Sequence, residues 1–124
     1  MRAVIAGSGS EIARNCVTNE ALSRIMDTTD EWIRERSGVE TRYYIDAGQK
    51  TSDLAVAAGQ QALEHAGVTP ADIDLVVSAT MTPDHYFPGN GGIIQTRLGI
   101  PAVPCFDIRQ QCSGFIYGLG LVDA

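Results

Sequence analysis

The sequence predicts an α/β fold with a largely parallel sheet. Helical patterns alternate along the chain with short apolar segments, which is the order expected when each strand is followed by a helix that covers the sheet. The two clearest strands, residues 75–77 and 102–108, are predicted to be buried between helices. In such sheets the functional groups gather at the carboxyl ends of the strands.

The composition fits one globular domain and narrows the classes of partner. The chain has 124 residues, of which 44% are hydrophobic and 19% are charged, close to ordinary globular usage. The net charge of −6 gives little support to a nucleic-acid role. The apolar runs are too short for a signal peptide or a spanning helix, so no membrane contact is predicted.

Three cysteines, with no CxxC pair, argue against a disulfide framework or a structural metal site. They favour a reducing compartment, and the cytoplasm is therefore the predicted location.

The first third of the chain predicts short elements separated by turns. Residues 2–5 are a predicted strand that leads into the glycine-rich turn 7–10, whose spacing does not match a phosphate-binding loop. A short helix is predicted for residues 18–25. Residues 39–45 are predicted as a strand or an extended arm.

A helix is predicted around Trp32. Thr28 and Glu31 stand at capping-box spacing before Trp32 and Ile33, and Gly38 is a suitable stop.

The rest of the chain carries the stronger patterns. Apolar residues at helical spacing predict a helix from Thr51 to Ala66, ended by Gly67. Strand 75–77 and loop 80–90 follow, and then come a helix that ends at Gly99 and strand 102–108. A last helix is predicted from Ser113 onward. It continues to Ala124 without a cap, so the chain is expected to be truncated.

Cys112 is the leading candidate for a catalytic residue. It lies between strand 102–108 and the helical pattern that starts at Ser113. A thiol at such a junction lies beside the free N–H groups and positive end of the helix, which favour the nucleophilic thiolate. The alternative is a small buried hydrophobe, since most free cysteines are inert packing.

A cysteine nucleophile needs a base within hydrogen-bond reach, and the chain has only His65 and His85. His65 is predicted to be solvated or half-buried near the end of a helix. His85 lies beside Asp84 on a loop, where it is either the base or an ordinary turn residue.

Four stretches together resemble the N-terminal part of β-ketoacyl-acyl carrier protein synthase III, a condensing enzyme of the thiolase superfamily. They are residues 27–39, 85–88, 98–100 and 107–115. The resemblance spans essentially the whole chain and less than half of a usual family member. It implies a thiolase-like fold of two similar α/β halves with layered, mostly parallel or mixed sheets, usually as a homodimer. Residues 1–124 would supply most of the first half, with the C-terminal half absent.

The resemblance implies that Cys112 takes an acyl group from acyl-coenzyme A. The acyl group then condenses with a malonyl unit on acyl carrier protein or coenzyme A, with loss of carbon dioxide, as in the initiation of fatty-acid biosynthesis. No cofactor or metal is expected, because coenzyme A enters as a substrate thioester. The family's catalytic His and Asn would lie in the absent half, so the isolated chain is predicted to be a poor catalyst.

The resemblance also implies a coenzyme A site formed by Thr28, Trp32 and Arg36. Trp32 would stack on the adenine, with the hydroxyl and guanidinium near the nucleotide and its phosphates. The alternative for Trp32 is a core anchor, and the alternative for Arg36 is a surface ion pair with Glu35 or Glu40.

Phe87 corresponds to a residue that reaches the acyl pocket of the partner subunit. Its alternative is a loop aromatic that fills the core.

The sequence departs from the family pattern at two places. Arg109, Gln110 and Gln111 stand where many relatives carry small residues, and Ser37 stands where Thr is common. The first pattern is similar to branches that make quinolone precursors or join long acyl chains head to head. Acyl transfer to an amine or alcohol, thioester hydrolysis, and a non-catalytic half that needs a separate partner chain also stay open.

Overall fold

The structure is a computed structural model that describes residues 3–124. The chain forms two compact units. The large unit contains residues 3–11 and Lys50–Ala124, and the small unit is Ile12–Gln49.

The small unit is a two-stranded ribbon with two short helices. Its elements are β1 (Asn15–Thr18), α1 (Asn19–Ser23), α2 (Asp30–Ser37) and β2 (Thr41–Tyr44). β1 and β2 pair antiparallel, so the strand option for residues 39–45 is confirmed. Strand β1 has no clear signal in the sequence, because four residues with one β-branched hydrophobe give no clear alternation.

Helix α2 begins one residue later than the capping-box spacing predicted. Thr29, not Thr28, is the N-cap, and its hydroxyl oxygen accepts the Trp32 N–H at 3.1 Å. Both threonines suit an N-cap chemically, and the extended backbone of Thr29 selects it. The predicted stop is confirmed, since Gly38 has φ 70° and its N–H donates to the Arg34 carbonyl.

The large unit alternates helices and strands, which confirms the predicted α/β class. Its elements are α3 (Thr51–Ala66), a 3₁₀ turn (Pro70–Asp72), β3 (Val76–Ala79), α4 (Gly91–Leu98), β4 (Cys105–Ile108), a second 3₁₀ turn (Gln111–Ser113) and α5 (Gly114–Asp123). Helix α3 has the predicted bounds.

Strands β3 and β4 differ from their predicted bounds by a few residues. β3 runs to Ala79, beyond the predicted end at 77. β4 starts at Cys105 and not at 102, because Pro104 lacks the N–H that a ladder needs, although its carbonyl accepts the Val76 N–H.

The two strands of the large unit are parallel, with Val76 opposite Cys105 and Ala79 opposite Ile108. Their carboxyl ends therefore lie at the same edge. Helix α5 covers one face, where a Cβ on Gly114 would lie 3.4 Å from that of Ala79. Helix α4 lies on the other face, where the Cys105 thiol donates to Gln95.

The strand predicted for residues 2–5 is wrong over its described part, because residues 3–13 form no regular element and Arg2 lies outside the described residues. An apolar run can pair with a strand, but no described strand offers this segment its edge. The glycine turn has a packing role. A Cβ on Gly7 would lie 2.5 Å from the Ala62 carbonyl oxygen, and a Cβ on Gly9 would collide with the Ala58 carbonyl. Glycine lets this segment lie directly on α3.

Helix α5 is apolar around most of its circumference. Phe115, Ile116 and Tyr117 are each more than half exposed in this chain. None of the helices found in residues 3–124 has both the length and the apolar character required to cross a membrane.

Candidate active site

Cys112 lies in the short 3₁₀ turn between β4 and α5, with its side chain exposed to solvent. The Ser113 N–H donates to the Gln110 carbonyl and closes this turn, and α5 begins at Gly114. The predicted strand-to-helix junction is therefore confirmed. The alternative that Cys112 is a buried hydrophobe is wrong for this chain.

The residue before Cys112 has a strained backbone. Gln111 has φ 39°, the one positive φ outside glycine within residues 3–124. A side chain with a Cβ pays a steric cost in this region, and such strain persists only where the surroundings impose it. Strained residues of this kind cluster at functional sites, so the strain supports Cys112 as a candidate nucleophile.

Close packing of two glycines of α5 against β3 fixes the position of the Cys112 turn on the sheet. Gly114 is buried against Ala79, and a Cβ on Gly118 would lie 3.6 Å from a methyl carbon of Val77. Because α5 approaches β3 this closely, the helix start and the Cys112 turn are held at the carboxyl edge of the sheet.

The carboxylate of Asp107 anchors the neighbouring loop to β4. Its oxygens accept the Asn90 N–H at 2.8 Å and the Gly91 N–H at 3.1 Å, at the start of α4. Gly89, with φ 105°, passes so close that a Cβ would collide with this carboxylate. Loop 80–90 is thus joined to the strand that leads to Cys112.

A second set of contacts ties the same loop to α3. Asn90 is fully buried, and its side-chain oxygen accepts the Asp84 N–H at 2.8 Å. The Asp84 carboxylate in turn accepts the Ser52 N–H at 3.0 Å. Partial burial raises the pKa of Asp84, but the hydrogen bonds from Ser52, the charge of Lys50 and the hydrogen bond with Asn90 together hold the pKa below its ordinary value.

Arg109 contacts the tip of loop 80–90. Its guanidinium donates to the Tyr86 carbonyl at 2.9 Å and lies 4.5 Å from the centre of the Tyr86 ring. The adjacent Phe87 is 92% exposed, so the alternative that it fills the core is wrong for this chain, and its contact with the acyl pocket of a partner subunit stays a prediction.

The other two cysteines differ from Cys112. Cys105 is half-buried on β4, its thiol donates to Gln95 at 3.2 Å, and burial together with Asp107 raises its pKa. A raised pKa keeps Cys105 in the unreactive thiol form. Cys16 is exposed on the ribbon of the small unit.

Neither histidine bonds to Cys112 within the described part of the chain. The Nδ1 of His65 lies 3.2 Å from the Ser8 N–H that donates to it. His85 is exposed, and as the base of Cys112 it stays a prediction.

In the small unit, Trp32 and Arg36 form one surface group. Trp32 is 55% exposed, which excludes the core-anchor alternative in this chain. Arg36 lies 5.5 Å from the centre of the Trp32 ring. Glu40 forms its ion pair with Arg34, which also pairs with Asp30. The alternative of a surface ion pair for Arg36 is therefore wrong.

Thr28 lies just before the N-cap of α2. Its hydroxyl oxygen is buried and has no hydrogen-bond partner among residues 3–124. The structure thus places Thr28, Trp32 and Arg36 in the small unit, and Cys112 and Phe87 in the large unit.

The contacts of Asp107, Asn90 and Arg109 were not predicted from the sequence. The sequence carries a partial signal for them. Asp107 lies on β4 and Arg109 follows two positions later, so their side chains are expected to point to the same side. No group of three or more metal-ligating side chains occurs in the described ranges.

Comparison with known proteins places these features in context. No protein-family model matches the chain. A β-ketoacyl-[acyl-carrier-protein] synthase III from Rhodospirillum rubrum is 51% identical over 124 residues, which is 99% of this chain and 38% of that protein. The protein of the same description from Rhodospirillum centenum is 47% identical over 123 residues, again 99% of this chain and 38% of the relative.

A solved structure agrees with these relatives. The crystal structure of 3-oxoacyl-[acyl-carrier-protein] synthase III from Aquifex aeolicus matches with a TM-score of 0.88 and 38% identity, over 96% of this chain and 38% of that one. The chain thus spans about two fifths of the length of the proteins it matches. The resemblance to the N-terminal part of these enzymes and the thiolase-like α/β fold are confirmed.

Proposed function

We propose that this chain, a close match to part of β-ketoacyl-acyl carrier protein synthase III, supplies the acyl-accepting cysteine of a condensing acyltransferase. One observation carries the proposal. Cys112 is exposed directly after a strained residue, at the carboxyl edge of a parallel sheet, in a chain that is 51% identical to such an enzyme. The structure supports this position, and the homologues support the chemistry.

In the first half-reaction, the Cys112 thiolate attacks the carbonyl carbon of an acyl-coenzyme A thioester. A carbon–sulfur bond forms to Cys112, and the bond to coenzyme A breaks, so the coenzyme leaves as its thiolate. N–H groups near the start of α5 would stabilise the oxyanion, an effect worth about 3–4 kcal/mol per donor.

In the second half-reaction, a malonyl thioester on acyl carrier protein or coenzyme A loses carbon dioxide. The electron pair that remains on carbon attacks the acyl-cysteine, which forms a carbon–carbon bond and returns Cys112 as a thiolate. The base and the amide that assist this step are assigned to the part of the full-length protein that this chain does not cover.

Trp32, Arg36 and Thr28 are proposed to bind the coenzyme. Arg36 lies over one face of the Trp32 indole, and an adenine can stack on the other. The guanidinium can then bind phosphate oxygens. The buried Thr28 hydroxyl, which has no partner among residues 3–124, would bond to the nucleotide.

We further propose that the full-length protein is a cytoplasmic homodimer with a second α/β half. The supporting observation is the exposure of α5, where Phe115 is 65% and Ile116 is 66% exposed. Apolar residues at this density are usually covered by protein. Phe87 would then reach the acyl pocket of the partner subunit.

Product analysis of the full-length protein tests the reaction. With acyl-coenzyme A and malonyl-acyl carrier protein, we expect a β-ketoacyl thioester and one carbon dioxide for each condensation. Cys112→Ser is expected to form no product. Free acid without a malonyl-dependent product would assign thioester hydrolysis instead, and an acylated amine or alcohol would assign another transferase. The quinolone-type and head-to-head alternatives have less support, because the relatives that are 51% and 47% identical to this chain are described as β-ketoacyl-[acyl-carrier-protein] synthase III.

A further inference from the structure

One buried side chain of the small unit contacts both ends of α2. Asn19 is the first residue of α1 and is 1% exposed. Its side-chain nitrogen donates to the Asp30 carboxylate at 2.8 Å and to the Val39 carbonyl at 2.8 Å. Asp30 is the first residue of α2, and Val39 directly follows Gly38, at which the helix ends. One amide group therefore fixes the start of α2 and the chain that leaves it.

The oxygen of the same amide bonds to the ribbon. It accepts a hydrogen bond from Arg42 of β2 at 2.6 Å, and the Arg42 guanidinium also donates to the Val17 carbonyl of β1 at 3.2 Å. The amide orientation follows from these partners, because the nitrogen faces two acceptors and the oxygen faces a donor. Asn19 thus joins α2 to both strands of the β1–β2 ribbon.

The contact with Asp30 is charge-assisted. The hydrogen bond from Asn19 is the first cause, before the one from Arg34, that holds the pKa of Asp30 below its ordinary value. Hydrogen bonds to an ionised acceptor are stronger than those between neutral groups. The start of α2 is therefore held by the stronger kind of bond.

Burial contributes little to the position of α2 in this chain. None of its eight residues is buried, and an isolated helix shorter than about 12 residues is marginal in water. The Thr29 cap and the pair of Asp30 with Arg34 lie within the helix and its first turn, so they do not fix it to the ribbon. The pair of Arg34 with Glu40 is exposed, and such pairs contribute little. The link from α2 to the ribbon is therefore mainly Asn19.

Helix α2 carries the two side chains proposed to bind the coenzyme. Trp32 and Arg36 lie on this helix, with the guanidinium 5.5 Å from the centre of the ring. Within residues 3–124, Asn19 forms its hydrogen bonds with Asp30, Val39 and Arg42 and with neither of these two. The pair itself is local to α2, whereas its position in the small unit depends on Asn19.

We propose that Asn19 is a positioning residue of the coenzyme A site. It fixes α2 on the β1–β2 ribbon and thereby holds Trp32 and Arg36 where the nucleotide binds. The first part stands on the contacts alone. The second part rests on the proposed function of Trp32 and Arg36.

Hydrogen exchange of the full-length protein, followed by mass spectrometry of its peptides, tests the first part without any ligand. In Asn19→Ala, the N–H groups of residues 33–38 should exchange about tenfold faster, because α2 loses both of its bonds to the amide. Helix α3 should keep its wild-type rate, since it belongs to the large unit. Glu40→Gln is the matched control, because it removes an exposed ion pair of α2 and no contact of Asn19.

Two exchange results would overturn the first part. One is a wild-type rate in α2 of Asn19→Ala, and the other is an equal rise in α2 and α3, which reports general unfolding. Asp30→Ala gives an answer even where Asn19→Ala fails to fold. It removes one acceptor of the amide from a side chain that is 42% exposed, and it should raise exchange in α2 by a smaller factor.

A comparison of two acyl donors tests the second part. Acyl-coenzyme A carries the nucleotide, whereas the acyl thioester of N-acetylcysteamine has the same reacting group without it. The ratio of kcat/KM for the first donor over the second, measured as acyl transfer to Cys112, should fall about tenfold in Asn19→Ala. The fall should come from a higher KM for acyl-coenzyme A. Glu40→Gln should keep the wild-type ratio.

An unchanged ratio in Asn19→Ala, or an equal loss with both donors, overturns the role of Asn19 in the coenzyme site. Trp32→Ala separates this failure from a failure of the proposed function. If the ratio falls in Trp32→Ala and not in Asn19→Ala, the coenzyme site stands and the positioning role fails. If Trp32→Ala keeps the wild-type ratio, the coenzyme site and the second part both fail, while hydrogen exchange still decides whether Asn19 fixes α2.

Discussion

The two candidate groups of this chain are held in place in opposite ways. In the small unit, Trp32 and Arg36 lie one helical turn apart on α2 and are exposed to solvent. In the large unit, the Cys112 turn and loop 80–90 are positioned by residues far apart in sequence, such as Asp107 with Asn90. A binding surface can be built on one helix, whereas the position of a nucleophile requires the sheet and several loops.

The largest loss of stability is expected where the large unit packs most closely. In Gly9→Ala, the new Cβ would collide with the Ala58 carbonyl and lie 2.7 Å from the Ala62 nitrogen, so the segment must move off α3. We expect a loss of about 1–3 kcal/mol in the free energy of unfolding, measured by urea denaturation.

Gly92→Ala in α4 is the matched control for Gly9→Ala. No atom lies within 4 Å of a Cβ at Gly92, so the change should be neutral or should stabilise by up to about 1 kcal/mol, because alanine favours helix. A Gly9→Ala protein as stable as the wild type would show that the glycine segment does not pack on α3 as described.

Trp32→Ala should affect binding and leave the fold almost unchanged. Loss of the stacking face should weaken coenzyme A binding by the full-length protein about tenfold, as measured by calorimetry. The urea midpoint should barely move, because Trp32 is 55% exposed. Trp32→Phe keeps an aromatic face and should lose less affinity. Unchanged affinity, or a large loss of stability, would refute the assignment of Trp32 to the coenzyme site.

The smallest effect is expected at the exposed ion pairs of the small unit. Hydrogen bonds from Asn19 and then Arg34 hold the pKa of Asp30 below its ordinary value of 3.8. A carboxyl with a lowered folded-state pKa stabilises the fold fully above the ordinary value, and this stabilisation is lost as the pH falls through the folded value. The free energy of unfolding of Asp30→Asn should therefore fall less steeply with decreasing pH than that of the wild type.

Urea midpoints across the acid range check this expectation for Asp30. The difference between Asp30→Asn and wild type should shrink in part in 1 M salt, because salt screens the exposed ion pair with Arg34 but not the hydrogen bond from the buried Asn19. Asp84→Asn is the comparison variant, because hydrogen bonds from Ser52 lower the pKa of this half-buried carboxyl. The difference in urea midpoint between Asp84→Asn and wild type should persist in 1 M salt. Equal salt sensitivity of the two variants would contradict the contrast between the units.

The elements that could be predicted from the sequence are those with local signals. Helix α3 ends at Gly67 and helix α2 at Gly38 because glycine adopts the left-handed backbone at a helix end. The Cys112 junction was predicted for a related reason, since a strand pattern and a helical pattern meet there within a few residues.

The partners in the contacts that position the candidate site could not be predicted, although the spacing of Asp107 and Arg109 indicated that their side chains share one side of the strand end. Asp107 and Asn90 are 17 residues apart, and Arg109 and Tyr86 are 23 apart, so no local window contains both partners. The strand predicted for residues 2–5 is wrong over its described part for a similar reason. An apolar run shows that a segment can pair with a strand, but the partner is decided by the tertiary fold.

The most direct test of the account is the mass of Cys112 after brief incubation of the full-length protein with acyl-coenzyme A. We predict that the peptide containing Cys112 gains one acyl group, that Cys105 with its raised pKa gains none, and that Cys112→Ser abolishes the adduct. A folded full-length protein that gains no acyl group, or gains it only at Cys16 or Cys105, would contradict the assignment of Cys112 as the acyl-accepting nucleophile.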